Sequence, residues 1–292
     1  MTQCKRRSQE NRKSTPLRAY NDARPPIAHL LKSWRTTRKI SQLALSLTAG
    51  ISQRQLSFIE SGRARPSRDT VLHLAEALEV PLRERNTLLQ AAGFSAIYPI
   101  RNLDDPLLAA VRDALNLLLE RHEPNPALLV DRQTNFLSAN RAARRLFGHY
   151  GDLESILGRC CGNGAPNLLR LSFHPDGLRP HILNWTEVAP IMLMHARQEA
   201  VASGNEALLK LLDEVMAYPG VADACHKTER GPKAQPTLTL DLQWGERRLR
   251  LFSMFSSFGW PQDLLTDELR IESFFPADAE SAKLLSALAA RD

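Results

Sequence analysis

The stretch at residues 41–67, SQLALSLTAGISQRQLSFIESGRARPS, determines the fold that we predict for the N-terminal part of the chain. Its first serine can cap a short helix, Gly50 can form a turn at positive φ, and Ser52 can cap a second helix. Leu56 and Ile59 would pack that second helix against the first. The first turn of the second helix is polar, which packing alone does not require. The pattern predicts a helix-turn-helix that presents polar side chains to a partner.

The partner that suits these side chains is DNA. Glutamine can hydrogen-bond adenine and arginine can hydrogen-bond guanine in the major groove. The first turn of the preceding helix and the basic loop after the second helix would then contact phosphates. The residues predicted to bind DNA are Gln42, Ser52, Gln53, Arg54, Gln55, Ser57, Arg63, Arg65 and Arg68.

Glu60 ends the second helix, where we expect its carboxylate to be partly buried. A buried carboxylate needs a cation, and Arg35 in the predicted first helix is the candidate. Such a pair fixes the geometry of the helices more than it adds stability.

Basic residues are concentrated at the beginning of the chain. The 292 residues carry a formal charge of +6, and residues 1–40 hold eleven lysines and arginines against two acidic residues. A basic excess beside a helix-turn-helix is typical of proteins that contact phosphates. For residues 1–24 alone, a solvated disordered arm is an equally good interpretation.

Changes in residue pattern divide the chain into four parts. Residues 1–24 lack hydrophobic periodicity and are predicted to be a disordered basic tail. Residues 25–93 contain five short helical patterns, and residues 94–105 form a linker. Residues 106–292 form a second domain of mixed character. The predicted fold is therefore α+β multidomain, with an all-α N-terminal domain.

The second domain combines helical and strand patterns. Residues 127–139 are predicted to form a strand, a turn and a strand, and residues 184–202 and 205–217 are predicted to be helices. Apolar and polar residues alternate strictly at 237–244, and a Gly-Glu turn leads into a strand at 247–256. These patterns predict an antiparallel sheet with flanking helices.

The composition argues against several classes of protein. No apolar run approaches the roughly 20 residues that a membrane helix needs. No apolar segment with a cleavage site follows the basic N-terminus, so we expect no secretory signal. The cysteines Cys4, Cys160, Cys161 and Cys225 are too few for a disulfide framework, and we expect a cytoplasmic protein.

Two short segments carry reactive residue types. Cys160 and Cys161 are adjacent in a stretch, 158–166, that we predict to be a loop, and their spacing to the nearest histidines is not that of a zinc site. The sequence HPDGLRPH at 174–181 contains His, Asp and Arg, but Pro-Asp-Gly is also a common turn. No nucleophile elbow or phosphate-binding glycine loop accompanies them. We predict no catalytic residues, no metal site and no enzymatic activity.

Residues 41–67 resemble helix 2, the turn and helix 3 of the phage repressor and Cro-like XRE family of helix-turn-helix regulators, and the resemblance extends over residues 27–92. It implies a lambda-repressor-like domain of five helices. In that family the outward residues in the first half of helix 3 contact bases, which here are Gln53, Arg54, Gln55 and Ser57. A departure is Ser46, where alanine is usual.

Three later segments are similar to the MmyB-like ligand-binding domain, a PAS-like module that follows XRE-type domains in bacterial regulators. They are LLVDRQTNFLSANRAARRLFG at 128–148, LSFHPDGLRPHILNW at 171–185 and FGWPQDLLTDELRIESFFPAD at 258–278. The resemblance implies a PAS-like fold and, as in some members, a fatty-acid-like ligand. A ligand would lie between the sheet and its flanking helices, although apolar stripes are core by default. The candidate pocket residues are Trp185, Val188, Met192, Leu240, Leu251 and Met254.

Together these predictions describe a cytoplasmic, sequence-specific transcription regulator. It would bind a double-stranded DNA operator as a homodimer and respond to a small, apolar or fatty-acid-like effector, with no cofactor and no membrane association. Two alternatives remain open at this point. The chain could be a protein-interaction and dimerisation module without ligand sensing, or the second domain could be an enzyme attached to a DNA anchor.

Overall fold

The computed structural model describes residues 27–227 and 237–290, and the predicted tail at 1–24 lies outside these residues. The N-terminal part is all-helical, as predicted. Serine side chains begin three of its helices: the Oγ atoms of Ser41, Ser52 and Ser67 accept hydrogen bonds from the backbone N–H three residues later, at 3.1–3.2 Å. The helices are α1 (Ile27–Thr37), α2 (Gln42–Thr48), α3 (Gln53–Glu60), α4 (Arg68–Ala77) and α5 (Leu82–Ala91).

One apolar core joins these five helices. Leu31 of α1, Leu45 of α2 and Leu56 of α3 are at most 1% exposed, and they pack with buried residues of α4 and α5. Gly50 adopts φ +67° between α2 and α3, which a residue with a side chain adopts only at a cost. The turn therefore brings α3 across α2 as the sequence predicts, with the buried Ser46 inside the crossing.

The C-terminal part is α+β, as predicted. A 3₁₀ turn at Pro106–Leu108 leads into its first helix, and a second such turn at Arg179–His181 precedes its longest helix. The helices are α6 (Ala109–Arg121), α7 (Arg141–Gly148), α8 (Leu153–Cys161), α9 (Leu168–Phe173), α10 (Trp185–Ser203), α11 (Glu206–Met216), α12 (Val221–Lys227), α13 (Leu264–Glu268) and α14 (Ala279–Ala289). The strands are β1 (Ala127–Val130), β2 (Phe136–Ala139), β3 (Leu240–Trp244), β4 (Arg247–Ser256) and β5 (Arg270–Pro276).

The described strands form one antiparallel sheet in the order β2-β1-β5-β4-β3. The last strand in sequence, β5, is therefore central, between β1 and β4. Helices cover both faces. Leu128, Leu249 and Leu251 lie on the face covered by α7–α10 and α14, which we call the inner face. Leu129 and Ile271 lie on the opposite face, under α6.

Three sequence predictions differ from the structure. The stretch at 158–166 is not all loop, because α8 continues to Cys161. The strand predicted at 237–244 begins only at Leu240. The central strand β5 was not predicted at all. In the described ranges, no helix combines the length and the apolar character needed to span a membrane.

Candidate nucleic-acid interface and ligand core

The first half of α3 presents polar side chains to solvent. Gln53, Arg54 and Gln55 are exposed, whereas Ser57 is half-buried. The Arg54 guanidinium lies over the Phe58 ring at 5.4 Å, so a cation–π contact holds the side chain along the helix surface. Leu56 and Ile59 are at most 1% exposed on the opposite side of α3. The structure thus turns outward three of the four side chains expected to contact bases, and partly covers the fourth, Ser57.

The predicted phosphate-contacting arginines lie beside this helix. Arg63 and Arg65 are exposed in the loop after α3, and the exposed Arg68 begins α4. Within the described ranges, these three guanidinium groups have no hydrogen-bonded or ion-paired partner. They therefore form an exposed positive border next to the polar turn of α3.

The carboxylate of Glu60 ties the first three helices together. Arg35 of α1 donates to it through Nε at 2.7 Å and Nη2 at 2.9 Å, and Gln42 of α2 donates through Nε2 at 2.7 Å. The Glu60 side chain is 3% exposed. Burial would raise its pKa, but the hydrogen bonds from Arg35 and Gln42 outweigh burial and the pKa is lowered. The predicted Arg35–Glu60 pair is confirmed.

Two of the predicted DNA-binding side chains already have structural partners. One N–H of the Gln42 amide is used by Glu60, which leaves the second for a phosphate. The Ser52 hydroxyl accepts from Gln55 N at 3.1 Å, which leaves its proton free to donate. Both side chains thus combine an orienting bond with one remaining donor at the N-terminal ends of α2 and α3.

The candidate pocket residues are brought together with one exception. Val188, Leu251 and the partly buried Trp185, Met192 and Leu240 belong to a single apolar cluster between the sheet and α10. Met254 does not, because its side chain is 56% exposed on β4 beyond the end of β3. Because Met254 lies three positions after Leu251 in β4, its side chain projects from the opposite face of the sheet, away from this cluster.

The inner face also holds a buried carboxyl group that the sequence analysis missed. Glu272 lies in the central strand, 7% exposed, and its Oε2 atom has no hydrogen-bond partner in the described part of the chain. Burial raises the pKa of Glu272 to about 7, and a hydrogen bond from Ser253 opposes that shift. The buried Trp185 Nε1 is likewise without a described partner. A buried polar atom without a partner costs free energy unless a ligand or water satisfies it.

The structure also shows the surroundings of the cysteine pair and of the HPDGLRPH segment. Cys160 is buried at the end of α8, and burial, together with the adjacent Cys161, raises the pKa of its thiol to about 11. In the HPDGLRPH segment, Asp176 N donates to His174 Nδ1 at 3.1 Å within the turn. Among the described residues, no three His, Cys, Asp or Glu side chains lie together as a metal site.

The two domains meet at α13. Arg83 of α5 donates to Glu268 through Nε at 2.5 Å and Nη2 at 2.9 Å, and Arg132, which follows β1, donates to the same carboxylate at 3.2 Å. The neighbouring Asp267 accepts from Leu82 N at 3.1 Å. Because the N-cap residue of α5 is a proline without a capping side chain, a carboxylate of the C-terminal domain satisfies this helix start.

A second contact and a cleft extend this junction. A Cβ added at Gly204, which ends α10 at φ +64°, would lie 3.0 Å from Cζ2 of Trp34 in α1, so the absence of a side chain permits the approach. Beside it, a cleft of about 500 Å³ is lined by charged residues of both domains, among them Glu79, Arg85 and Arg270. The sequence analysis found no signal for the junction, because its charged residues are far apart in the chain.

Comparison with protein families assigns both halves of the chain. A helix-turn-helix family model matches residues 31–85. The model of the MmyB-like transcription regulator ligand binding domain matches residues 111–288. No curated protein matches the chain significantly.

Removal of the cation that pairs with Glu60 should destabilise the N-terminal domain. We expect Arg35→Met to lower its free energy of unfolding by about 3 kcal/mol, because the carboxylate would stay buried with only Gln42 as a donor. The double variant Arg35→Met/Glu60→Met should recover most of this loss, and Arg63→Met, at an exposed and unpaired arginine, should change little. Calorimetric unfolding of the full chain measures all three, and an Arg35→Met variant as stable as Arg63→Met would contradict the assignment.

Proposed function

Because the chain belongs to the XRE-type regulators with an MmyB-like ligand-binding domain, we propose that it binds its operator as a homodimer in the cytoplasm and responds to a small apolar effector. It is a DNA-binding transcription regulator with a ligand-binding domain. Neither domain type implies catalysis, and we propose that the protein is not an enzyme.

One observation carries the DNA-binding proposal. The polar first turn of α3 is exposed, and the buried network of Arg35, Gln42 and Glu60 fixes its orientation relative to α1 and α2. A helix held in this way can enter the major groove with Gln53, Arg54 and Gln55 towards base edges, while the neighbouring arginines contact phosphates. A rigid support matters because base contacts require accurate placement of both hydrogen-bonding groups.

A dimer would place two copies of α3 on the same face of the DNA, one in each half-site. Helix-turn-helix dimers bind half-sites about 34 Å apart, one helical turn of DNA. The second candidate function, a protein-interaction module without ligand sensing, predicts no salt-dependent DNA affinity. Such a module would not need three exposed arginines beside α3.

We propose an apolar or fatty-acid-like effector bound between α10 and the inner face of the sheet. The cluster of Val188, Leu251 and Met192 supplies apolar walls. Trp185 Nε1 and the Oε2 atom of Glu272 are buried polar atoms that lack described partners. Because burial raises the pKa of Glu272 to about 7, its carboxyl can hold a proton near neutral pH and then donate to a ligand carboxylate. A long apolar ligand with one polar end would meet both kinds of group.

The junction at α13 offers a route by which this effector changes DNA binding. Glu272 and α13 are separated by only a few residues, and Asp267 and Glu268 hold the start of α5. A ligand that moves β5 would therefore shift α13 and the DNA-binding domain with it. The size of the response can be no larger than the ligand's preference for one of the two arrangements.

Base and backbone contacts should respond differently to mutation. We expect Arg54→Ala to cost about 1–3 kcal/mol on the preferred sequence and to relax base preference at one position. We expect Arg65→Ala to weaken all sequences alike and to reduce the slope of log K against log[salt] by about 0.9. Binding to operators selected from random DNA, titrated at several salt concentrations, measures both. Unchanged affinity and preference in Arg54→Ala would show that α3 does not contact bases.

The effector proposal predicts a bound molecule. Native mass spectrometry of the purified full chain should find an adduct of a few hundred daltons per chain, and organic extraction should release a molecule with an apolar tail. Val188→Trp should abolish the adduct by filling the space beside α10, whereas Val201→Trp, at an exposed site on the same helix, should retain it. A wild-type chain that binds no adduct and no added fatty acid would contradict the effector class.

The junction proposal predicts uncoupling without loss of DNA binding. If bound and extracted protein differ in operator affinity by at least about fivefold, as coupled sites commonly do, Arg83→Ala should bring that ratio close to one. Arg170→Ala is the matched control, because Arg170 donates to Glu214 at 2.7 and 2.8 Å away from the junction. A ratio that survives in Arg83→Ala and falls in Arg170→Ala would place the coupling elsewhere.

A further inference from the structure

The second half of strand β4, residues 252–256, has a described neighbouring strand on one side, and we call its other side the free edge. β3 pairs with β4 only from Leu251 back to Arg247. The remaining residues of β4, 252–256, pair with β5 on one side. On the other side, no described residue hydrogen-bonds to their backbone. In an antiparallel strand, alternate residues direct N–H and C=O groups to each side, so this edge offers unpaired groups to another strand.

The outer sides of β3 and β2, the two outermost strands of the sheet, have neighbouring backbone that bonds to them. The outer edge of β3 is covered by the segment before α10, where Leu183 N donates to Asp241 O at 2.8 Å and Ile182 forms a bridge with Leu242. At the start of β2, Phe136 N donates to Pro166 O at 2.8 Å, next to a bridge between Asn135 and Asn167. Exposed edges are normally covered in this way or blocked by charge. The edge at 252–256 has neither kind of protection in the described part of the chain.

The side chains along this edge are apolar and exposed. Met254 is 56% exposed and Phe255 is 61% exposed, and they project from opposite faces of the sheet. The stretch FSMFSSF at 252–258 contains no charged residue and no proline. An uncharged, apolar edge favours strand addition and does not repel a second strand of the same sequence.

We propose that the free edge of β4 is the homodimer interface, formed by antiparallel pairing with β4 of a second copy. This inference rests on the proposed dimeric regulator and names its contact surface. A two-fold axis at Met254 would place Phe252 opposite Ser256 of the partner subunit and Ser253 opposite Phe255 of the partner subunit. Each large side chain then faces a small one, and the two methionines face each other.

The self-complementary order of large and small residues favours a second copy over an unrelated strand. Residues just before β3 could also occupy this edge. If β3 were extended in its present register, Thr239 would lie opposite Phe252 and Leu238 opposite Ser253. In the structure, however, β3 begins only at Leu240, and Leu238 remains 36% exposed. Pairing with a second copy would make this edge a dimer contact, whereas pairing with residues 237–239 of the same chain would not.

Charge on the edge should dissociate the dimer. We expect the full-length wild-type chain to sediment as a dimer and Met254→Lys to raise the dimer Kd at least about tenfold, because two lysines would face each other across the axis. Met194→Lys is the matched control, since Met194 is 48% exposed on α10 and away from the edge. Circular dichroism confirms that each variant is folded.

A cysteine at the axis gives a direct test of register. Opposed residues in antiparallel strands have Cα atoms roughly 4.5 or 5.5 Å apart, within the range of about 4.4–6.8 Å that a disulfide spans. Met254→Cys should therefore form an intermolecular disulfide under mild oxidation, beyond the background of the parent chain. Phe252→Cys should not, because its two copies would lie four residues apart in register.

The possible outcomes separate this proposal from the proposed function. A wild-type dimer that persists in Met254→Lys, with no cross-link in Met254→Cys, overturns the β4 interface and leaves a dimeric regulator. If Met254→Lys leaves the dimer Kd unchanged and lowers the melting temperature, residues 237–239 of the same chain cover the edge. This result also overturns the β4 interface. A wild-type chain that is monomeric with and without operator DNA overturns the interface and the dimeric regulator together.

Discussion

The carboxylate of Glu268 is the group on which the arrangement of the two domains depends. It is 9% exposed, and it accepts hydrogen bonds from Arg83 in the DNA-binding domain and Arg132 in the ligand-binding domain. A carboxylate in such surroundings loses several kcal/mol of favourable interaction when one cation leaves while the carboxylate stays buried. Motion of α13 therefore either carries α5 with it or exposes Glu268 to water. Both responses change the relation between the domains.

The position of α13 depends in turn on the central strand. α13 ends at Glu268, and β5 begins two residues later, hydrogen-bonded to β1 on one side and β4 on the other. A strand held on both sides cannot shift alone, so a ligand on the inner face would act on the sheet as a unit. Glu272, whose Oε2 atom has no hydrogen-bond partner among the described residues, lies on this strand. This buried polar group is thus close, along the chain, to the contact that holds the DNA-binding helices.

Local signals predicted the N-terminal domain well, and long-range contacts explain what they missed elsewhere. Capping serines, the Gly50 turn and the Leu56–Ile59 face act within a few residues, so the sequence around them is sufficient. The strand β5, RIESFFP, shows no alternation, because the polar Glu272 is buried and the apolar phenylalanines are only partly so. Arg83 and Glu268 are 185 residues apart, and no local pattern relates them. Met254 differs from these cases, because alternation within β4 puts a residue three positions after Leu251 on the opposite face of the sheet.

The side chain of Asn184 connects these observations. Its Nδ2 atom donates to Thr239 O and its Oδ1 atom accepts from Asp241 N, so the side of β3 that faces away from β4 is tied to the start of α10. Because β3 begins at Leu240, opposite Leu251, residues 252–256 have β5 as their one neighbouring strand in the described part of the chain. On that strand Glu272 is the residue paired with Phe255. A strand added at the free edge would act on β4, and a ligand on the inner face would act on β5. Because Phe255 and Glu272 are opposed, dimer contact and ligand contact would bear on the same pair of residues, and each would change the free energy of the other.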